Sequence, residues 1–366
     1  MSISRRVFTQ SALAFAATGA ALARTAKDPI APFRTPYKYP KLILGPSRPV
    51  PLNAPVSTDE PFDSRSVDDP IVFRANDKFY MLYIGFDGTG YQTGLAESAD
   101  LLDWNRVALV GPRNPQSQWT KFNLAISSIL RDKSLHGSGQ VLKHNGRYLA
   151  AWNAYPSAGY EAGAAVIGLA TSDDLLHWQL TDPILRPQDG AAWEHGGLYR
   201  PDLLRGRDGT FYLYYNAKTD TLPKSQGGGW REQSGVATSR DLIHWTRYAG
   251  NPILPNGPHD SNDGRFASNP YVMTYGRQYA MFYFGFTYIR PGRARELLAL
   301  GDDPFHFNKV PQVLIDVGPP GSIDETFAHK PSLIYHQGAL YHFYCAVSGK
   351  YPNEMRGIAV ARSRPW

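Results

Sequence analysis

The feature that most constrains this fold is an internal repeat. A short apolar run, a turn rich in Ser and Asp, and an aromatic residue follow one another in the same order along most of the chain. The copies lie at residues 95–104, 168–178, 235–245, 298–307 and 357–363. The fourth copy is degenerate, and the fifth stops before its aromatic residue. Each copy predicts a strand, a turn and the start of a second strand.

A second element precedes each copy. It is a hairpin pattern of two apolar runs that are separated in three units by Asn76-Asp77, Asn145-Gly146 or Asp208-Gly209. Asn-Gly and Asp-Gly between apolar runs are strong hairpin signals. The pattern begins at residues 69, 138, 200, 269 and 330. The repeat therefore contains four strands and occurs five times.

Five such units predict an all-β fold, a five-bladed β-propeller with four antiparallel strands per blade. The chain ends after the third strand of the fifth unit, so an N-terminal strand near residues 37–44 is expected to close the ring. Closure removes exposed sheet edges. Residues 24–366 are expected to form one catalytic domain.

The first 23 residues have the order of a signal peptide. Arg5-Arg6 is followed by a weakly apolar run at residues 12–21 and by the small-residue cleavage pattern Ala21-Leu22-Ala23. This order indicates twin-arginine export. The protein is expected to be periplasmic or secreted, with no membrane attachment after the signal is removed.

Composition narrows the class of partner. The net charge is +6, but basic and acidic residues are interspersed, so no nucleic-acid partner is predicted. Aromatic residues make up 13% of the chain, which suits strands and carbohydrate stacking. The single cysteine, Cys345, lies in an apolar run and is expected to be a buried thiol. An oligosaccharide is the expected partner, and no oligomeric state is predicted.

The beginnings of the five inner strands are expected to meet at one end of the channel. Proline or glycine marks each beginning, since proline is tolerated at the first residue of a strand. The polar residues around these markers are Asp68, Asp69, Ser138, Arg200, Asp202, Ser268, Asn269, His329 and Lys330. Ionisable groups gathered at one point indicate a functional site.

The repeated blades, the early Asp69-Pro70 and the Ser-x-Asp-Leu-x-x-Trp turns make residues 60–366 similar to the five-bladed glycoside hydrolases of families 43, 32, 62, 117 and 130. That resemblance implies an aspartate on blade one as general base or nucleophile, which matches Asp69. It also implies a second aspartate that tunes the acid, which matches Asp202.

The general acid is where the sequence departs from family 43. No Glu-Gly-Pro opens a later blade, and blade five offers Glu325 and His329 instead. A histidine there resembles family 117, whose members cleave anhydro-L-galactose from agar oligosaccharides. Catalytic roles are thus expected for Asp69, Asp202, Glu325 and His329. The residues expected to bind substrate are Asp68, His136, Trp152, Trp193, Glu194, His195, Arg200, Asn269 and Lys330.

The expected function is a glycoside hydrolase acting on a plant or algal oligosaccharide. The substrate would be arabinofuranoside-like or anhydrogalactoside-like, and cleavage would be inverting and exo-acting by an acid/base pair. A glycoside phosphorylase, with Arg200, His329 and Lys330 around phosphate, stays open as an alternative, as does a non-catalytic sugar-binding propeller. No cofactor is required and no catalytic metal is expected, but a structural Ca²⁺ in the channel stays open.

Overall fold

The computed structural model describes residues 28–57, 59–223 and 228–366. The predicted signal peptide, residues 1–23, lies outside the described residues. Residues 33–366 form one compact unit. Within the described residues, helix occurs only as the short 3-10 turns Ala31–Phe33, Pro187–Asp189 and Ala192–Glu194, and none can cross a membrane.

The chain is nearly all-β, as the repeat predicts. After β1 (Tyr37–Lys38), the described strands fall into five successive groups of antiparallel neighbours, here called units. They lie in three sheets, because single parallel bridges join the last three units into one sheet. The first contains β2 (Ser66–Ala75), β3 (Lys78–Phe86), β4 (Tyr91–Ser98) and β5 (Asn105–Gly111). The second contains β6 (Ala125–Ile129), β7 (Lys143–His144), β8 (Arg147–Ala154), β9 (Val166–Ser172) and β10 (Trp178–Leu180). The third contains β11 (Gly197–Arg205), β12 (Phe211–Lys218), β13 (Glu232–Ser239) and β14 (Thr246–Arg247). The fourth contains β15 (Phe266–Tyr275), β16 (Gln278–Phe286), β17 (Ala294–Gly301) and β18 (Asn308–Lys309). The fifth contains β19 (Phe327–His336), β20 (Ala339–Ser348) and β21 (Met355–Arg362).

The repeated Ser-Asp turn is held by its own side chains. In the first unit, the Ser98 hydroxyl accepts hydrogen bonds from the backbone amides of Asp100 and Leu101. The Asp100 carboxylate accepts two more from the next two amides, and the Trp104 indole donates to the Leu101 carbonyl. The same bonds recur in the second and third units. The repeat is therefore a turn signature, because the Ser and Asp oxygens satisfy amides that no strand can pair.

The N-terminal segment pairs with the fifth unit. Strand β1 runs antiparallel to β21, with Tyr37 opposite Arg362, and Leu44 forms a further bridge with Ile358. The innermost strands contact one another in order, from β2 to β6, β11, β15 and β19, and β19 contacts β2. These contacts bring the beginnings of the inner strands together.

Four inner strands share a bulge at a proline whose position in the strand the sequence analysis predicted wrongly. Proline was expected at the first position of each strand, but Pro70, Pro201, Pro270 and Pro331 are each the fifth residue. The register breaks at each of these prolines. A bulge leaves one residue outside the ladder, so a proline without an N–H is accepted there.

The second unit departs from the pattern. Its inner strand was expected to begin at Ser138, but it is β6 (Ala125–Ile129), and the excursion 131–141 follows it. Ser138 lies in this excursion, where its amide and hydroxyl donate to the Asp132 carboxylate. The expectation was wrong because the hairpin turn at Asn145-Gly146 belongs to the short β7, which pairs with β8 in place of the inner strand.

Polar side chains just past the bulges join neighbouring units. The Ser128 hydroxyl accepts from the Leu203 amide at 2.9 Å, and the Ser332 hydroxyl accepts from the Val72 amide at 3.0 Å. The Asp202 carboxylate accepts from the Val272 amide at 2.8 Å. Each bond satisfies a buried backbone amide of the neighbouring unit with a side-chain oxygen.

Glu296 is an exception to this pairing of buried groups. Thr93 and Ser234 occupy equivalent positions in β4 and β13, and their hydroxyls donate to carbonyls of the next unit. The Glu296 side chain is fully buried, and neither carboxyl oxygen has a hydrogen-bond partner among the described residues. Burial raises the pKa of Glu296 well above its ordinary value.

Glu296 should make the stability fall as pH rises. The folded state keeps the Glu296 proton to a higher pH than the unfolded state, so the free energy of unfolding decreases from about pH 4.5 upward, by at most about 1.4 kcal/mol per pH unit. Glu296→Gln should flatten this dependence. Urea unfolding at several pH values between 5 and 9 measures the slope for both proteins; equal slopes would contradict the assignment.

Candidate active site

A pocket of about 180 Å³ lies where the inner strands begin. Units three to five supply most of its wall, and the loop after β8 supplies the rest. The residues that line it are Tyr160, Glu161, Tyr199, Arg200, Glu232, Phe266, Phe284, Phe286, Ala294, Phe327, His329, Lys330 and Arg356.

The bulges present charged residues to one another. The residues before the four prolines, Asp69, Arg200, Asn269 and Lys330, all have a left-handed backbone with φ between 51° and 68°. This conformation is uncommon outside glycine, and it clusters at functional sites. The Arg200 guanidinium contacts the Asp69 carboxylate, and the Lys330 ammonium contacts Asp68. Residues 131 and 262 positions apart in the chain are thereby paired.

The two adjacent aspartates differ in their electrostatics. Burial raises the pKa of Asp68, but Lys330 and Arg356 outweigh it and hold the pKa well below the ordinary value. Burial raises the pKa of Asp69, and Arg200 opposes that effect without reversing it. Both side chains are almost fully buried beneath the pocket wall. Asp68 is therefore the fixed counter-ion of Lys330 and Arg356.

Glu161 enters the pocket on the loop that follows β8. Its backbone is left-handed, with φ of 53°. Its carboxylate accepts a hydrogen bond from the Lys218 ammonium at 3.0 Å and lies 3.8 Å from the Arg200 guanidinium. Burial raises the pKa of Glu161, but Lys218, Lys330 and Arg200 outweigh it and hold the pKa at about 2. Glu161 is thus ionised at neutral pH.

Glu232 begins β13 and supplies the second pocket carboxyl group. One oxygen accepts from the Trp230 indole at 2.8 Å. The other accepts from the Ser268 hydroxyl at 2.6 Å and from the Asn216 amide at 3.4 Å. Three donors from three segments fix its orientation. Such support by neighbouring hydrogen bonds is what a positioned catalytic group needs.

The opposite wall of the pocket is aromatic. Phe266, Phe286 and Phe327 form a continuous edge with ring-centre distances of 5.2 and 5.9 Å, and Phe284 packs against His329 at 5.2 Å. These rings offer no hydrogen bond. The pocket therefore has one charged and one apolar side, as a sugar ring has hydroxyl groups and C–H surfaces.

His329 lines the pocket, as expected, but its protonation does not suit a general acid. Its Nδ1 lies 3.1 Å from the Cys345 carbonyl, which can only accept, so Nδ1 carries the proton. Its Nε2 lies 3.4 Å from the Arg356 guanidinium, which can only donate. Burial, with Lys330, lowers the pKa of His329 to about 3. The imidazole is thus neutral and accepts through Nε2.

His329 should stay neutral across the range where histidines ordinarily titrate, roughly around pH 6.5. Its ring ¹⁵N shifts should keep the Nδ1–H pattern from pH 8 to pH 5. Long-range ¹H–¹⁵N spectra measure this, with the His329 signal assigned by its loss in His329→Gln. Protonation of His329 between pH 6 and 7 would restore it as an acid.

Of the four expected catalytic residues, only His329 lines the pocket; Asp69 is paired with Arg200 and lies outside the lining. Asp202 and Glu325 also lie outside it. Asp202 follows the bulge proline and contacts the Lys133 ammonium as well as the Val272 amide, so it joins units inside the channel. Glu325 borders a different cleft, where its carboxylate accepts from the amides of Gly321 and Gly349. These two amide bonds lower the pKa of Glu325, which is the wrong direction for an acid. Each residue is close in sequence to a bulge but is directed elsewhere.

Several expected substrate-binding residues are also placed elsewhere. Trp152 is core, and its indole donates to the Leu169 carbonyl at 2.8 Å. Trp193 stacks on Tyr215, which donates to Glu194. His195 lies 3.3 Å from the Gly190 carbonyl. His136 packs against Tyr275 and Tyr335, at the far ends of β15 and β19. Of the expected set, Arg200 and Lys330 line the pocket, Asp68 pairs with Lys330, and Asn269 occupies the bulge of unit four.

Sequence reasoning missed Glu161, Glu232 and Arg356. It followed only the beginnings of the inner strands. In an antiparallel unit, the loop between the second and third strands returns to the same end as the beginning of the first. Glu161 lies in such a loop. Glu232 is the first residue of β13 and Arg356 the second residue of β21, and each of these is the third strand of its unit. Charged residues in these loops were the available signal.

A cation could be sought at one cluster of three potential ligands and at the lone carboxylate of Asp202. Asp68, His329 and Cys345 bring potential ligand atoms within 4.8 Å of one another. However, the Asp68 carboxylate is already paired with Lys330 and Arg356, and burial raises the pKa of the Cys345 thiol well above its ordinary value. In the channel, Asp202 already has Lys133 as its counter-ion. Neither donor set suits a divalent cation, because ammonium and guanidinium groups already neutralise the carboxylates.

Comparison with protein families agrees with this architecture. The family profile described as "Glycosyl hydrolases family 32 N-terminal domain" matches residues 138–350, more than half of the chain. The chain belongs to this family. A profile described as "beta-1,4-mannooligosaccharide phosphorylase", of glycosyl hydrolase family 130, matches residues 45–222. The resemblance expected from the repeats is confirmed, since both families were among those named.

Curated members of the wider group match over part of their length. A "1,2-beta-oligomannan phosphorylase" of Thermoanaerobacter sp. (strain X514) is 29% identical over 177 residues, which cover 47% of this chain and 50% of that protein. A "Probable arabinan endo-1,5-alpha-L-arabinosidase C" of Aspergillus clavatus is 34% identical over 107 residues, 27% of this chain and 31% of that protein. The chain thus spans half or less of the length of these relatives.

Two solved structures of this group match over nearly the whole chain. One, a complex described as "BT0996 RGII", is 31% identical, with a TM-score of 0.74 over 91% of this chain and 92% of its own. Another, described as "Glycoside hydrolase", is 29% identical, with a TM-score of 0.72 over 91% and 93%. The family is therefore one of carbohydrate-active enzymes.

Proposed function

We propose that this chain is an exo-acting glycoside hydrolase built on a closed five-bladed propeller. It would remove one terminal sugar from a plant oligosaccharide. The observation that carries the proposal is the pair Glu161 and Glu232, the carboxyl groups that line the pocket. Glycoside hydrolysis needs two carboxyl groups on opposite sides of the scissile bond.

The surroundings of the two glutamates suggest their roles. Glu161 is held ionised by Lys218, Lys330 and Arg200, which suits the group that activates water or attacks the sugar. Glu232 takes the remaining role by elimination and protonates the leaving oxygen; the Ser268 hydroxyl can accept as well as donate, so its contact also fits a protonated carboxyl group. The Trp230 indole and the Ser268 hydroxyl keep its carboxyl group in place. The proposal includes inversion of the anomeric configuration, which the family resemblance implies.

Pocket size supports release of a single sugar. The volume of about 180 Å³ is below the roughly 300–1,000 Å³ of pockets that enclose drug-sized ligands. An arabinofuranose is the sugar we favour. One relative is described as a probable arabinan arabinosidase, and the structure that is 31% identical is described as an "RGII" complex.

Charge pairing favours water over phosphate as the acceptor. A phosphate dianion needs cations that are not already neutralised. In the described structure each arginine and lysine that lines the pocket has a carboxylate partner: Arg200 with Asp69, Lys330 with Asp68, and Arg356 with Asp68 and Glu354. Lys218, which lies beside the lining, pairs with Glu161. Arg231 and Arg265 lie outside the lining, beyond its aromatic residues. Phosphorolysis is the second candidate, because one matching profile and one relative are described as phosphorylases.

Removal of either pocket carboxyl group should abolish turnover. Glu161→Gln and Glu232→Gln should each lower kcat on aryl arabinofuranosides or pectic oligosaccharides by about 10²–10⁴-fold, the usual contribution of a positioned acid or base. Glu232→Gln should change the melting temperature little, because glutamine keeps the shape, whereas Glu161→Gln removes the carboxylate partner of the buried Lys218 and should lower it. Glu97→Gln, an exposed partner of Lys78 on an outer strand, is the matched control. Full activity in either pocket variant would remove that residue from the mechanism.

The acceptor can be read from the same reactions. Hydrolysis should give free sugar at equal rates with and without inorganic phosphate, and the first anomer seen by proton NMR should be inverted. Sugar phosphate that forms only with added phosphate would assign phosphorolysis.

The N-terminal sequence supports an extracytoplasmic location. We propose that residues 1–23 direct twin-arginine export, on the evidence of Arg5-Arg6 and the small-residue pattern that follows. Replacing both arginines by lysine should retain the protein in the cytoplasm, whereas Lys27→Gln should not. Cell fractionation with immunoblotting measures this; export of the double variant would contradict it.

A further inference from the structure

Two arginines at the pocket mouth differ from the paired cations inside it. Arg231 and Arg265 have no carboxylate partner among the described residues. The Arg265 side chain donates only from Nε to the Trp230 carbonyl at 3.4 Å, and that of Arg231 only from Nε to the Tyr288 hydroxyl at 3.1 Å. The four residues between Pro223 and Gly228, which lie outside the described set, are Lys-Ser-Gln-Gly and contain no acid. We call Arg231 and Arg265 the arginine rim.

The guanidinium of Arg265 is held in place by aromatic rings. It lies 4.9 Å from the ring centre of Phe266 and 5.2 Å from that of Trp230. Phe286 and Tyr288 follow at 5.8 and 5.9 Å. Cation–π contacts use the face of the guanidinium and leave its N–H edge available. A half-buried arginine that is positioned but unneutralised is prepared for an anion.

Residues that contact Arg265 also line the pocket or contact Glu232. Phe266 and Phe286, against which Arg265 packs, line the pocket. Trp230, a third ring in the stack, donates its indole N–H to Glu232. Arg231 precedes Glu232, and its contact with Tyr288 brings the second guanidinium to the same place. A sugar unit that continues outward from the bond beside Glu232 therefore reaches both arginines.

We propose that the arginine rim binds the carboxylate of a uronic acid residue next to the sugar that is released. This inference rests on the proposed function, since it assigns the leaving-group side of that pocket. A planar carboxylate fits the paired N–H donors of a guanidinium, and such charge-assisted bonds are among the strongest in proteins. Arg231 and Arg265 would thus be specificity-determining residues.

Calorimetry with a uronate probe and its neutral form tests the inference. Trigalacturonate and its methyl ester differ only in charge at the carboxyl group. The wild type should bind the acid about tenfold more tightly than the ester, which is the ratio that about 1.4 kcal/mol produces. Arg265→Gln and Arg231→Gln should each reduce this ratio toward one, and Arg265→Lys should restore only part of it because lysine lacks the planar donor pair. Arg240→Gln, on an exposed outer turn, is the matched control and should leave the ratio unchanged.

The outcomes separate this inference from the proposed function. Equal affinity for the acid and the ester in the wild type overturns the arginine rim, as does a ratio that both glutamine variants keep. Tighter binding of a sulfated carrageenan oligosaccharide, lost in the same variants, overturns the uronate assignment in favour of a sulfate ester. Arginine-dependent binding of trigalacturonate, together with no sugar release from the aryl arabinofuranosides and pectic oligosaccharides, leaves the rim standing and removes the hydrolase proposal.

Discussion

The left-handed residue before each bulge proline is the constraint on which the rest of this site depends. An ordinary strand would alternate its side chains between two faces and leave the channel end without converging groups. At Asp69, Arg200 and Lys330 the backbone leaves the ladder, and the side chain reaches another inner strand. The strain of a left-handed aspartate, arginine or lysine is opposed by buried ion pairs between units. The same geometry therefore supports both the packing of the units and the electrostatics of the pocket.

Charge balance explains how so many ionisable groups share a small buried volume. Burial of an isolated carboxylate is costly, and most buried acids in this region have a cationic partner. That pairing fixes protonation. Asp68 and Glu161 stay charged, while burial and the surrounding cations keep His329 neutral. Against this background, the unneutralised arginines at the mouth and the unpartnered Glu296 between units stand out as exceptions.

The fold was more predictable than the site. The Ser98-Asp100-Trp104 turn and its repeats could be read from the sequence because the hydrogen bonds that hold them are local. The second unit was misread, because the excursion 131–141 separates its inner strand from the hairpin signal. The convergence of Asp69, Arg200 and Lys330 could be predicted from the topology. Asp202 and Glu325 were predicted to join them but lie elsewhere. One residue past a bulge proline, or two before a strand, a side chain can face another unit or another cleft.

By itself, the sequence determined the repeat, the all-β class and the family resemblance, because these depend on local turn chemistry and on apolar periodicity. The tertiary structure alone decided which carboxyl groups share the pocket, since Glu161 and Glu232 come from loops whose ends meet only when separate units pack. It also decided the protonation of His329, because that depends on the Cys345 carbonyl, on Lys330 and on Arg356 being brought around one ring. Contacts between residues far apart in the chain set pKa values, and no pattern within a single segment records them.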